Sequence, residues 1–286
     1  MDFRTDLAME ARDIYGSSRG ISAETVSVSG LRISRMHIYS PEAARSIGKP
    51  AGHYITIEGL PETDNFREVR REIEAIAGEL ENLLPKEGSI LVVGIGNTEI
   101  TPDALGPASA ASVIATRHIG GEIAKSTGLD RLRRVAVLSP GVLGQTGIEV
   151  GEIITSLASR LRPSAVIAID ALASRSLSHL GRTIQLSDSG ITPGSGIGNR
   201  RFGLTRDNLG IPVIGIGMPT VVDAVTLAKD ISGADAPPLP SLSRTLIVTP
   251  KEIDILNRRA SKLIGMAVNC ALQREYDFDE LACLVS

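Results

Sequence analysis

Ile90-Leu91-Val92-Val93-Gly94-Ile95-Gly96-Asn97-Thr98-Glu99-Ile100-Thr101-Pro102-Asp103-Ala104-Leu105-Gly106-Pro107 is the stretch that sorts this chain into a fold class. A short, nearly unbroken run of β-branched and aliphatic residues is what a strand buried on both faces requires. Gly94 and Gly96 then suit a tight exit turn. Thr101 reads as a helix N-cap with Pro102 at the first helical position, which puts Asp103 in the first helical turn. Similar apolar runs recur at 135–138, 166–169, 213–216 and 246–248, with helical segments between or after them. Thr146 with Glu149, and Thr249 with Glu252, have the capping-box spacing. The second pair would open a helix through Ile253, Leu256, Ala260, Leu263, Ala267 and Ala271. Alternating strands and helices imply an α/β fold, a three-layer, mostly parallel sheet flanked by helices.

Outward from that centre the pattern changes. Residues 7–60 read as a β-rich N-terminal extension. Thr25-Val26-Ser27-Val28 and Leu31-Arg32-Ile33-Ser34-Arg35-Met36-His37-Ile38 alternate around Ser29-Gly30 as a hairpin, and Tyr54-Ile55-Thr56-Ile57 adds a third strand. Phe66, Val69, Ile73, Ile76, Leu80 and Leu83 recur at helical spacing until Leu84-Pro85 stops them. The stretch 234–240 reads as an exposed proline-rich loop.

Composition narrows the function classes. The chain has 286 residues with 30 Lys+Arg against 33 Asp+Glu, a formal charge of −3, so direct nucleic-acid binding has no electrostatic basis. No apolar run is long enough to span a membrane, and the first residues lack a secretory pattern. The two cysteines, Cys270 and Cys283, read as free thiols of a reducing compartment, so the expected location is cytoplasmic. Aromatics make up 3% and tryptophan is absent, so the core must be aliphatic.

Ligands of open parallel sheets sit beyond the carboxyl ends of the strands, and two acids fall there: Asp103 and Asp170. An acid closing an apolar strand is costly to bury unless partnered or used. Two carboxylates sharing one site hold one proton between them, which suits water activation. The plainer alternative is two separate structural acids, Asp103 complementing a helix dipole and Asp170 bonding backbone amides. Glycine-rich strips at 139–147, 192–201 and 215–224 could hold an extended peptide or stabilise an oxyanion, although any one alone could be only a turn. Other schemes lack support. Glu99 stands where a dinucleotide fingerprint needs its third glycine, and Pro193 where a nucleophile elbow needs its first. His37, His53, His118 and His179 form no H-E-x-x-H pattern, and His118 and His179 read as surface or helix-end residues. No metal or cofactor is expected.

Taken together, Arg4-Thr5-Asp6-Leu7-Ala8, Gly94-Ile95-Gly96-Asn97 with Thr101-Pro102-Asp103-Ala104-Leu105-Gly106-Pro107, Pro140-Gly141-Val142-Leu143-Gly144-Gln145-Thr146-Gly147, Ile169-Asp170-Ala171-Leu172-Ala173-Ser174-Arg175 and the two later glycine strips resemble the spore germination protease family, over residues 4–224. The resemblance implies an atypical aspartic endopeptidase of the spore core, tetrameric and made as a zymogen. It would cut small acid-soluble spore proteins after an acidic residue and before a hydrophobic one. Asp103 and Asp170 take the positions of the family's essential acids. The fold is similar to that of hydrogenase maturation endopeptidases, whose equivalent acids hold nickel. Thr5-Asp6-Leu7-Ala8 looks like the self-processing site, which makes 1–6 a short propeptide and 7–286 a single peptidase domain. Gly96, Asn97, Gly144, Gln145, Gly194, Ser195 and Gly196 are expected to line the substrate path. Arg175 or Arg200 (with Arg201) is expected to read the substrate acid. The alternatives are a metal-dependent maturation peptidase, or a non-catalytic peptide-binding protein on the same scaffold.

Overall fold

Among the described residues nine strands join one mixed sheet, ordered β1-β2-β3-β7-β8-β6-β4-β5, with β9 paired to β8. The computed structural model describes residues 4–16, 19–194, 202–232 and 246–285; the predicted loop at 234–240 lies outside them. Along the chain the strands are β1 (Ile21–Val28), β2 (Leu31–Ile38), β3 (Gly52–Glu58), β4 (Ile90–Gly94), β5 (Val135–Leu138), β6 (Ala165–Ser174), β7 (Thr183–Ser187), β8 (Val213–Asp223) and β9 (Ile247–Val248). The helices are α1 (Ala8–Tyr15), α2 (Pro41–Ile47), α3 (Arg70–Leu83), α4 (Leu105–Ala111), α5 (Gly121–Ser126), α6 (Leu143–Thr146), α7 (Val150–Leu161), α8 (Arg206–Leu209), α9 (Ala224–Ser232), α10 (Ile253–Leu272) and α11 (Phe278–Val285).

The strands β5, β4, β6 and β8 pair in parallel, as their apolar runs require. Outward from β8, pairing with β7, β3, β2 and β1 is antiparallel. The predicted N-terminal extension therefore continues the main sheet. One face, carrying Ile57, Val92, Ile167, Ile184 and Ile216, packs on Ile73 and Leu80 of α3 and on Leu263 and Ala267 of α10. The opposite face packs Leu91, Val93, Val166 and Ala168 against Val150 and Ile154 of α7. On that side, farther along the sheet, Met36, Ile38 and Tyr54 meet Ala8 of α1 and Ala43 and Ile47 of α2. These are the expected three layers.

Several local expectations change. Neither threonine caps a helix. The N-caps of α7 and α10 are Glu149 and Glu252 themselves. The Thr146 hydroxyl donates to the Val142 carbonyl at 3.2 Å, and that of Thr249 to the Thr220 carbonyl at 2.8 Å. The helix read from Phe66 begins at Arg70, because Asn65 folds residues 65–69 into a turn by accepting from the Arg67 N–H. Asp170 does not close its strand, and Gly215 and Gly217 lie inside β8 instead of after it. Both strands run on because each lends its far end to the other, from Leu172↔Pro219 to Ser174↔Val222, across a bulge. The short strand β7 carried no recognisable signal. Cys270 and Cys283 form no disulfide with each other, and burial pushes the Cys270 thiol up to about 12.

Candidate active site

The glycine turn after β4 places the first acid. Gly96 has φ +128°, and a Cβ there would press on the Asp103 carbonyl oxygen at 2.0 Å. Gly106 lets α4 touch the ends of two strands at once, since a Cβ would meet the Ile95 and Ile169 carbonyl oxygens at 2.2 and 2.4 Å. Thr101–Asp103 forms a separate 3₁₀ turn before α4, with Ile100 as its N-cap. Asp103 is thus in a first helical turn, as the Thr101-Pro102 pattern suggested, but the turn is 3₁₀ and Ile100, not Thr101, is its N-cap. Its Oδ2 accepts from the Asn97 N–H at 2.8 Å. The carboxylate and the glycine turn hold each other in place.

Asp170 stands in the middle of β6 with 5% of its surface exposed. Its Oδ1 accepts from the Ala171 N–H at 2.9 Å. Asp103 and Asp170 line one cavity of about 250 Å³ whose other walls are largely apolar, among them Ile95, Val142, Phe202 and Val221. Such walls raise the strength of any electrostatic contact made inside.

A third acid enters the cavity from the N-terminus, Asp6. The segment lies against the exposed flank of β6: the Asp6 N–H donates to the Ala173 carbonyl at 2.8 Å, and the Ala173 N–H donates to Asp6 Oδ2 at 2.9 Å. Leu7 is buried beside it. Arg4 is tied by its N–H to the Thr226 hydroxyl and by its guanidinium to Asp223 at 3.4 Å. Downstream, buried Glu10 accepts from the Arg175 and Ser176 N–H groups at 2.7 and 3.0 Å, from the Thr5 hydroxyl and from His179. Burial pushes the Glu10 carboxyl up, but these four donors together hold it below its ordinary value. His179 is raised above its ordinary value, mainly by its bond to Glu10. His179 ends a short 3₁₀ helix, in keeping with the surface or helix-end expectation, and in addition clasps α1 to Glu58.

The other expected residues divide. Gly96 and Gly194 line the cavity. Asn97 and Gln145 sit just behind it, with Gln145 Nε2 donating to Asn97 Oδ1 at 2.8 Å. Gly144 is exposed on α6 and does not line it. Arg175 does not line it either: its guanidinium is joined to Asp230 at 3.0 Å, because β6 turns its end away toward α9. Ser195, Gly196, Arg200 and Arg201 lie outside the described residues. Three lining residues went unnoticed in the sequence as site residues. Glu149 looked like a cap; Phe202 is an isolated aromatic. Thr220 is the bulged residue of β8, with a fully buried hydroxyl that has no hydrogen-bond partner among the described residues. The paucity of aromatics is the sequence signal that marks Phe202.

Among the described residues no group of three or more His, Cys, Asp or Glu side chains could hold a metal ion. None of the four histidines lines the cavity; His37 stacks on His53, which bonds Asp188 at 2.7 Å. A second hollow of about 430 Å³, between Arg32, Glu58, Arg182 and Arg259, contains none of the three acids. Among the described residues no helix is long and apolar enough to cross a membrane.

Known proteins resemble this chain in sequence. The sequence profile of a family described as "Germination protease" matches residues 4–233. A germination protease of Caldanaerobacter subterraneus subsp. tengcongensis is 42% identical, the match covering 96% of this chain and 95% of that one. One of Clostridium perfringens is 40% identical over 94% and 95% of the two chains. One of Priestia megaterium is 43% identical over 79% of this chain and 65% of its own length. Among solved structures, a [NiFe] hydrogenase maturation protease HycI from Thermococcus kodakarensis KOD1 covers 68% of this chain and 98% of its own, at a TM-score of 0.39 and 18% identity. With a profile spanning most of the sequence, and relatives matched nearly end to end, this chain belongs to the germination protease family and is a peptidase.

Proposed function

We propose that this protein is an aspartate-dyad endopeptidase that begins the degradation of small acid-soluble spore proteins at germination. The observation that carries the reading is the convergence of Asp103 and Asp170 on a single apolar-walled cavity beside the Asp6-Leu7 segment. One carboxylate, ionised, takes a proton from water as the water oxygen adds to the scissile carbonyl. The other, protonated, gives its proton to the departing amine. The Asn97 N–H fixes the Asp103 carboxylate, and the Ala171 N–H does the same for Asp170.

Asp6 and Leu7 have the acid–hydrophobe order of the expected cleavage pattern, and the position of Asp6 in the cleft, with Leu7 buried next to it, supports self-processing at that bond. In this reading residues 1–6 are a leader, and its Asp6 occupies the cleft until the bond after it is cut. A substrate acid would follow the path of Asp6, with the β6 edge amide of Ala173 as one of its donors. That path reads one chain in extended form, by strand addition, so the protein substrate would be cut where a segment comes free of its folded or DNA-bound state. The working protein is proposed as a homotetramer in the cytoplasm of the spore core, with no resident metal or cofactor and no contact of its own with DNA.

The test is the pair Asp103→Asn and Asp170→Asn, each assayed on a purified acid-soluble spore protein with folding monitored by circular dichroism. Both variants are expected to fold and to leave the substrate intact. Near-normal proteolysis by either one would remove the dyad.

A further inference from the structure

Lys49 and Gln185 belong to none of the motifs above and do not line the cavity. Both nonetheless hold the carbonyl group that a cut between Asp6 and Leu7 would transform. Lys49 Nζ donates to the Asp6 carbonyl oxygen at 2.9 Å, and Gln185 Nε2 donates to the same oxygen at 3.1 Å. Lys49 Nζ also reaches the Thr5 carbonyl at 2.9 Å. Gln185 Oε1 accepts from the Ala8 N–H at 2.7 Å. Gln185 therefore grips the chain on both sides of the Asp6–Leu7 bond.

The sheet register explains why these groups sit opposite an acid. Gln185 of β7 pairs with Gly217 of β8, and Gly217 pairs with Asp170 of β6. Residues in register across a sheet point to the same face, and two strand spacings separate Gln185 and Asp170 by roughly 10 Å between Cα atoms. Gly217, between them, has no side chain. A chain laid along this face has Gln185 on one flank and Asp170 on the other. Lys49 arrives from the antiparallel side: α2 ends at Gly48 in the left-handed region, and the Lys49 N–H returns to the Ala44 carbonyl at 3.1 Å. Ala43 and Ile47 bury α2 against β2 and β3, so the amine is carried by a packed element.

A charged amine and an amide that meet at one carbonyl oxygen gain strength as that oxygen becomes negative in the tetrahedral intermediate. We propose that Lys49 and Gln185 form the oxyanion-stabilising pair for the acid–hydrophobe bond, in self-processing and then for a substrate following the same path. The proposal rests on the dyad reading above. In the step, the water oxygen bonds to the acid residue's carbonyl carbon and its proton passes to the ionised aspartate. The carbonyl oxygen carries the negative charge against Lys49 and Gln185. The C–N bond then breaks, the protonated aspartate supplies the proton to the leaving nitrogen, and the oxygen returns to a carboxyl group. The balance is simple hydrolysis.

The test uses the full chain: wild type, Lys49→Met, Lys49→Arg, Gln185→Leu and Asp170→Asn. Intact mass follows the Asp6–Leu7 cut, and steady-state kinetics follow a synthetic peptide with an Asp-Leu-Ala step. Lys49→Met and Gln185→Leu are each expected to lower kcat about 100-fold or more, with KM within about threefold, and Lys49→Arg to recover part of the loss. Unchanged kcat, or a loss confined to KM, overturns the proposal while the dyad stands on the inactivity of Asp170→Asn. A wild type that cuts neither bond overturns both. Should Gln185→Leu lower the melting temperature, Lys49→Met, at a half-buried helix end, decides alone.

Discussion

Strands β4, β6 and β8 are buried almost throughout, whereas β1, at the far edge of the same sheet, leaves most of its residues exposed. The parallel region is sandwiched between α3, α4 and α10 on one face and α7 on the other. The antiparallel region is half-covered by α1 and α2 and fades into solvent. The first region carries the two acids on strand and turn backbone that cannot shift without disturbing the core. The second brings the groups that seize a peptide: the Lys49 amine, the Gln185 amide and the N-terminal segment itself. The proposed acid and base sit on the rigid half, and the groups that hold the carbonyl oxygen come from the half beside it, a division that can be probed residue by residue.

The largest effect should come from the rigid half. Asp170→Asn keeps the shape but removes a base or acid, and is expected to lower the rate of proteolysis by about 10²–10⁴-fold with an unchanged melting temperature. Ile167→Ala, in the middle of β6 and fully buried, should destabilise the fold by about 2–5 kcal/mol in urea unfolding. Gly106→Ala should cost about 1–3 kcal/mol, because the added methyl meets two backbone carbonyls. It should also lower activity out of proportion to stability by pushing the Asp103 turn away from β6. Val26→Ala in β1 is expected to cost about 1 kcal/mol or less. If Val26→Ala proved as damaging as Ile167→Ala, the contrast between the halves would be wrong.

The smallest effect is pH-dependent and belongs to the clasp that fastens α1. Glu10 is held below its ordinary value of 4.5, so its contribution is present above that value and is lost as pH falls through the lowered folded value. His179 is raised above 6.5, so its contribution is full below 6.5 and is lost as pH rises through the raised folded value. The clasp is therefore tightest between about pH 4.5 and 6.5. The melting-temperature gap between wild type and His179→Gln should be widest in that window and narrow above it. A gap that stays the same at every pH would show that His179 acts by packing alone.

Much of the rigid half could be read directly. Unbroken runs such as 90–93 and 166–169 mark strands buried on both sides, and the acids just after them fall at the ligand-binding edge. The hairpin at 25–38 announced itself by alternation about Ser29-Gly30. What stayed hidden shares one cause: the information is in pairings between distant residues. The β7 segment Thr183-Ile184-Gln185-Leu186-Ser187 is a strand because β3 and β8 flank it. Arg175 looked available until Asp230 was seen to hold it. Thr146 and Thr249 had capping spacing, but helix starts depend on where the preceding turn closes, and Glu149 and Glu252 took those places.

The amino-acid order by itself determined the layered α/β class, the two acids that follow apolar runs and the acid–hydrophobe step near the N-terminus, because apolar periodicity and residue chemistry are local. Only the folded molecule decided that Asp6 lies in the same cavity as Asp103 and Asp170, and that Lys49 and Gln185 close on its carbonyl. Those contacts depend on strand register across β6, β8 and β7, and a register is set jointly by every pair along the sheet.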